Sequence, residues 1–395
     1  MSRCAHLINA IVASAAAVLC TTAHAGVPTQ FPEQTLMPPG AESPLAAPLD
    51  IDGRTALLIG DRVDEYRRKG AGDWVWRSSL PQPPIESLRA YGEVALSGDV
   101  ALVSDQVFKP SNHSFTLGIV HAYKRERGIW HYVETVRCPD SAPFGDTFGR
   151  QLKLDGHHAA IGAFLLSTAY AYRVERSGRL TLESRLVPES GPEQGFAREL
   201  ELAGHTIMVA TTESPGVVRV YEESHGVWAE KQIIQAPNSG LFGAAIALDE
   251  HRAFIAAPSE NFHPEPDQGG FPSSGVVREF VRVHGEWLMG RELASPDSFN
   301  GSFGARLAFD GRRLLVLESG SATEQNSFGS RGFLYERSDK RWQLHRRLVT
   351  TPDPTIVVTI GLDDGWAMMS DVSRIPGVLL GATYAYELQR SHHGR

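Results

Sequence analysis

A unit of roughly 45 to 60 residues repeats along this chain, and the repeat limits the possible folds more than any other feature. An aromatic residue closing a short apolar run stands at Tyr66, Tyr123, Tyr172, Tyr221, Phe280, Tyr335 and Tyr386. Seven or eight residues after each of the first six comes Trp74, Trp130, Leu180, Trp228, Trp287 or Trp342. Six residues further on lies Leu80, Val136, Leu186, Ile234, Leu293 or Leu348, followed within a few positions by Pro83, Pro139, Pro188, Pro237, Pro296 or Pro352. A unit this short cannot bury its own apolar face, so copies must pack on one another, as in solenoids and propellers.

The clearest copy runs from Phe242 to Pro296 and divides into Phe242–Asp249, Arg252–Pro258, Gly275–Phe280 and a last piece around Trp287 and Leu293. Each piece alternates or clusters apolar residues between Gly, Pro, Asp or His, which reads as four short strands with turns between them. Seven such units predict an all-β, seven-bladed β-propeller of four-stranded blades. The seventh copy ends soon after Tyr386, before a fourth strand, while Gln30–Pro39 near the start carries the missing pattern. The N-terminal segment is therefore expected to supply the outer strand of the last blade and close the ring.

The first residues contain Arg3, an apolar run from Leu7 to Leu19, and Ala23-His24-Ala25. This is the pattern of a secretory leader, and its apolar core is too short for a membrane span, which needs about 20 residues. Residues 1–25 are expected to be a signal peptide, 26–390 the propeller and 391–395 a short tail, so that the protein is exported to the periplasm or secreted. The leader holds Cys4 and Cys20, leaving Cys138 alone and the fold dependent on its apolar core. Its removal moves the formal charge from −8 to about −9, and no basic run marks a nucleic-acid surface.

These residues resemble the FG-GAP repeats of the integrin α-subunit propeller and of many exported bacterial proteins. The resemblance is carried by Phe148-Gly149, Phe242-Gly243 and Phe303-Gly304, by Ile161-Gly162-Ala163 and Ala256-Ala257-Pro258, and by weaker copies at Tyr91-Gly92 and Phe196-Ala197. Calcium-binding members carry Asp-x-Asp-x-Asp-Gly in the turn between the first two strands, where several carboxylates meet a hard cation. Here the turns read Asp50-Ile51-Asp52-Gly53, Ser97-Gly98-Asp99, Asp155-Gly156-His157-His158, Ala203-Gly204-His205, Asp249-Glu250-His251, Asp310-Gly311-Arg312 and Asp363-Asp364-Gly365. None supplies the full set, Asp50 with Asp52 coming nearest, so no cofactor is expected and the acids are read as turn formers. His157-His158 is read as a solvated turn, because adjacent residues on a strand point apart.

The chain has no Gly-x-Ser-x-Gly elbow, His-Glu-x-x-His helix, paired cysteines or phosphate-cradling Gly-Lys loop, so no catalytic residue is assigned. Loops joining second to third strands carry ligand contacts in propellers, and four look long: Asp105–Leu117, Pro258–Ser274, Ser319–Arg331 and Asp371–Leu380. The second holds the candidate binding residues Glu260, Phe262, His263, Glu265 and Asp267. Fold-level analogy and export point to a module that binds a protein or glycan through this face. A structural scaffold in an envelope assembly and a polysaccharide-acting hydrolase or lyase stay open beside it.

Overall fold

A computed structural model describes residues 27–37, 48–70, 72–85, 87–88, 92–109, 112–140, 145–191, 193–211, 216–236, 241–260, 275–296, 301–319, 322–323, 326–327, 330–339, 341–350, 356–375 and 378–388. The chain forms seven antiparallel blades arranged in a ring, each built outward from an inner strand. From inner to outer, blade 1 is Leu49–Asp52, Thr55–Ile59, Val63–Arg68 and Trp74–Ser79, and blade 2 is Val94–Ser97, Val100–Lys109, Asn112–Glu126 and Ile129–Arg137. Blade 3 is Leu152–Asp155, His158–Ala163, Thr168–Val174 and Leu180–Leu186, and blade 4 is Phe196–Ala203, Thr206–Thr211, Val217–Ser224 and Val227–Gln235. Blade 5 is Ile246–Leu248, Arg252–Ala257, Val276–Val283 and Glu286–Ala294, and blade 6 is Ser302–Phe309, Arg313–Ser319, Arg331–Ser338 and Arg341–Leu348. Blade 7 is Ile356–Asp363, Trp366–Ile375 and Val378–Glu387, with Gln34–Leu36 as its outer strand.

Ring closure by the N-terminus is thus observed, with Gln34, Thr35 and Leu36 opposite Ala385, Tyr384 and Thr383. The side chain of Gln34 donates to the carbonyl of Trp74 and accepts from its N–H, bridging blade 7 to blade 1. Gln232, at the matching position of blade 4, makes the same two bonds to Trp287 of blade 5. One further pairing was not expected: Thr29–Gln30 runs parallel to the outer strand of blade 6, opposite Arg347 and Leu348.

Second strands are buried over most of their length within the ring, and Thr206–Thr211 throughout, because a neighbouring blade covers each of their faces. Outer strands bury little beyond their repeating Trp or Leu residues. The repeated aromatics are core: Tyr66, Tyr123, Tyr221, Trp74, Trp130 and Trp287 are all less than a tenth exposed. Apolar clusters fill every junction between blades, for example Leu36, Ile51, Tyr66, Trp74 and Trp366 between blades 7 and 1. Cys138 is a free thiol packed 3.4 Å from the Tyr170 hydroxyl, and burial pushes its pKa up.

The repeated Phe-Gly pairs lock each blade to the one before it. Gly149, Gly243 and Gly304 sit at φ of +87° to +89°. A Cβ on them would come within 2.8–2.9 Å of Ser104, Ala210 or Ala256, on the second strand of the preceding blade. The carbonyls of Phe148, Phe242 and Phe303 in turn press on Gly118, Gly216 and Gly275, which precede or lie within the third strand of that blade. At the junction of blades 3 and 4, Ala197 replaces the glycine and keeps a φ of +62°, and Gly162 stands where the other blades have Ser104, Ala210 and Ala256; a Cβ on it would come within 3.1 Å of the Ala197 carbonyl.

Two of the four expected long loops are extensions of strand pairs. Val107 and Phe108 lie opposite Leu117 and Thr116, with Lys109 opposite Asn112. Ser373 and Ile375 lie opposite Leu380 and Val378. A third contains a small antiparallel pair, Ala322–Thr323 with Asn326–Ser327. Alternating β-prone residues continue past the blade in these segments, and paired backbone is preferred to free loop. Residues 261–274 of the fourth lie outside the described residues.

Candidate functional site

The seven inner strands surround an axial cavity of about 520 Å³. Side chains alternate along a strand, so every second residue faces the axis and the wall is built in levels. Glu93, Gln151, Glu199, Ala245, Arg306 and Thr359 line the end nearest the links between blades. Two residues on, Asp50, Ala95, Lys153, Glu201, Ala247, Ala308 and Gly361 form the middle. The turns at the opposite end bring Asp52, Ser97, Asp155, Ala203, Asp249, Asp310 and Asp363, with Glu250 beside them. Ten carboxylates therefore line the channel against two cations, Lys153 and Arg306.

The middle level and the end level beside it are electrostatically coupled. Lys153 Nζ lies 2.8 Å from Glu201 Oε2, so one cation is already committed. Asp50 accepts from its own neighbour Ile51 N–H at 2.8 Å and from Leu96 N–H of blade 2 at 2.7 Å. Removal from bulk water nevertheless pushes Asp50 up to about 7, opposed by the Leu96 N–H and Lys153 and reinforced by Glu201. Glu199 is pushed up to about 8, chiefly by burial, with Lys153 opposing and Glu201 adding to the rise. Glu93 is raised for the same first reason. Burial alone would lower Lys153, but the charges of Glu201 and Glu199 hold its pKa above the ordinary value. Among the described residues no cation forms an ion pair with Asp50, Glu93 or Glu199. These are carboxyls that release protons when positive charge enters.

At the turn level the acids stitch blades together. Asp363 accepts from Gly53 N–H, Asp52 from Gly98 N–H and Asp155 from Gly204 N–H, while Ser97 Oγ accepts from Gly156 N–H. Each bond runs from one blade to the next. Asp249 and Asp310 instead accept from N–H groups of their own turns, as expected of turn formers. Asp50 and Asp52, the pair nearest a calcium pattern, are both engaged by the backbone of blade 2.

Of the candidate loop residues, Glu260 is 7% exposed and forms a two-pronged pair with Arg278, at 2.6 and 2.7 Å. Arg278 also reaches Glu292, and Glu260 O accepts from Gly275 N–H, so the loop leaves the blade through a clamped base. Glu260 thus anchors the loop and does not present a free carboxylate on its rim. Phe262, His263, Glu265 and Asp267 lie outside the described residues. At the sequence level Asp50, Asp52, Asp155, Asp249, Asp310 and Asp363 read as turn formers and Glu93, Glu199 and Glu201 are not singled out, although Glu93 and Glu199 hold matching positions in their repeats with Asp50 two residues further on.

No protein-family model and no curated protein matches the chain. Solved structures do match it. A Lactobacillus plantarum protein is 14% identical with a TM-score of 0.52, over 82% of this chain and 95% of that one. A chain of the mitotic checkpoint complex is 11% identical with a TM-score of 0.54, over 91% and 96%. A Bacteroides fragilis protein described as a candidate 6-phosphogluconolactonase is 10% identical with a TM-score of 0.50, over 89% and 97%. At such identities the likeness is one of fold, and function must be argued from the site.

Proposed function

We propose that the protein is an exported propeller of the FG-GAP type that binds a partner protein, holding a Lys- or Arg-bearing segment at the acidic axial channel. The observation that carries this reading is the wall itself: ten carboxylates against two cations around 520 Å³, with one of those cations already paired to Glu201. A confined acidic cleft concentrates field and favours cations over neutral sugars, so of the protein and glycan readings the charge supports the protein. Export is supported by the leader pattern of residues 1–25. The segment 261–274, entered through the Glu260–Arg278 clamp at the end of the channel nearest Glu93 and Glu199, is assigned the outer contacts through Phe262, His263, Glu265 and Asp267.

The test is calorimetric titration of the protein spanning residues 26–395 with an extended Lys/Arg peptide, its fully acetylated and citrulline-containing counterpart, and an acidic peptide. Binding of the basic peptide alone is expected, tightening about tenfold between pH 6 and pH 8.5 with proton release. Equal binding of the neutral peptide, or an affinity independent of pH, would remove the channel as the site.

A further inference from the structure

His158 is not the solvated turn residue that its sequence neighbourhood suggests. It lies at the start of the second strand of blade 3, its side chain only 12% exposed, and meets groups from blade 4. Its ring stands edge-on to His205 at 5.1 Å and to Trp228 at 5.3 Å. His205 lies in the turn between the first two strands of blade 4, and Glu223 is the penultimate residue of the third strand of the same blade. One ligand atom from each of His158, His205 and Glu223 lies within 4.8 Å of the others.

We propose that His158, His205 and Glu223 form a binding site for Zn²⁺ that ties blade 3 to blade 4 on the face of the ring carrying the inner turns. Two imidazoles and a carboxylate are the donors a borderline divalent ion selects, whereas calcium and magnesium want oxygen alone. The outer contacts are already in place. His158 Nδ1 is 3.2 Å from the Gly204 carbonyl, which makes it the protonated nitrogen and leaves Nε2 as the ring's metal-ligating atom. Glu223 Oε1 accepts from Gly226 N–H, leaving Oε2 to face His205 Nδ1 at 2.7 Å. Glu183 borders the site with Oε2 4.0 Å from His158 Nε2, held there by the indole N–H of Trp228 at 3.0 Å.

Bonds of about 2.0–2.1 Å in a tetrahedron place donor atoms roughly 3.3 Å apart. The cluster must therefore contract, and the mobile member is His205, whose side chain is 68% exposed. The metal would replace the hydrogen bond between His205 and Glu223, with rotation of the His205 ring making most of the adjustment and small shifts of the His158 and Glu223 side chains closing the rest.

Zn²⁺ titration of the chelator-treated protein tests this, with Ca²⁺ and Mg²⁺ as controls and Co²⁺ absorption as a report on geometry. One Zn²⁺ per chain, unmoved by excess Ca²⁺, and the intense visible bands of four-coordinate Co²⁺ are expected. His205→Ala and Glu223→Gln should each weaken Zn²⁺ at least about tenfold, and His158→Ala should abolish the Co²⁺ bands. Replacing the tail histidines His392 and His393 by Ala should change nothing. Circular dichroism of each variant separates lost binding from lost folding. Retention of the Zn²⁺ affinity in folded His158→Ala or His205→Ala protein, or its loss with the tail histidines, would overturn the proposal.

Discussion

The Phe-Gly junctions make a quantitative claim about Gly243. Placing a methyl there forces an L-residue to hold φ +89°, which costs about 1–2 kcal/mol. The new Cβ would also stand 2.8 Å from Ala210 Cβ and 3.2 Å from Val218 Cγ2, so blades 4 and 5 must separate, an overpacking cost of about 1–3 kcal/mol. Gly243→Ala should thus destabilise by about 2–5 kcal/mol in total. Gly226→Ala is the matched control, because that residue has φ +80° and nothing within 4 Å of the added methyl. It should show the backbone cost alone. Ala210→Gly in the Gly243→Ala background removes the atom in the way and should restore about 1–2 kcal/mol despite its own cost. Urea unfolding followed by the fluorescence of the 7 Trp residues measures all four proteins. Equal losses at Gly243 and Gly226, or no recovery in the double variant, would refute the interlock as the reason for glycine.

At the junction of blades 3 and 4, Gly162→Ala would set its methyl 3.1 Å from the Ala197 carbonyl and from Gln151 Cβ and 3.3 Å from Leu200 Cδ2, and should cost about 1–3 kcal/mol that Ala197→Gly does not recover, because the carbonyl stays in place, again read from urea midpoints. Arg278→Ala strands the buried Glu260 carboxylate and should cost about 3–5 kcal/mol, with faster proteolysis within 261–274; pairing it with Glu260→Gln should lessen the loss. Glu199 holds a proton in the folded chain up to about pH 8 that the unfolded chain releases near its ordinary value, so its contribution to stability is fully present in acid and is lost as pH rises through the folded value. Glu199→Gln should flatten that decline, by an amount on the order of 2 kcal/mol between pH 5 and pH 9 once channel water is allowed for, measured by unfolding across pH. Deleting residues 27–36 removes the outer strand of blade 7 and the Gln34 bridge to Trp74, and should lower the melting temperature and raise hydrogen exchange in Val378–Glu387 first.

Architecture was legible because it is written many times. Tyr66, Tyr123 and Tyr221 recur with Trp74, Trp130 and Trp228 at near-constant offsets, and the fourth-strand pattern missing after Tyr386 is found in Gln30–Pro39, within which Gln34–Leu36 pairs with a strand hundreds of residues away. Loop lengths were read less well, since Val107–Phe108 and Val378–Leu380 look like excursions until strand pairing across the hairpin is known. Glu260 looked like a rim acid, and only the approach of Arg278 shows it to be an anchor.

What the chain determined by itself is therefore whatever depends on local pattern and its repetition: strand order, blade number, the aromatic core and the closing strand. Tertiary structure decided the rest, because charge and hydrogen bonding depend on distances between blades that no offset encodes. Lys153 and Glu201 are 48 residues apart and meet at 2.8 Å. His158 finds the Gly204 carbonyl one blade on. Each of these residues is ordinary within its own repeat, and acquires its chemistry only when the ring places it against its neighbour.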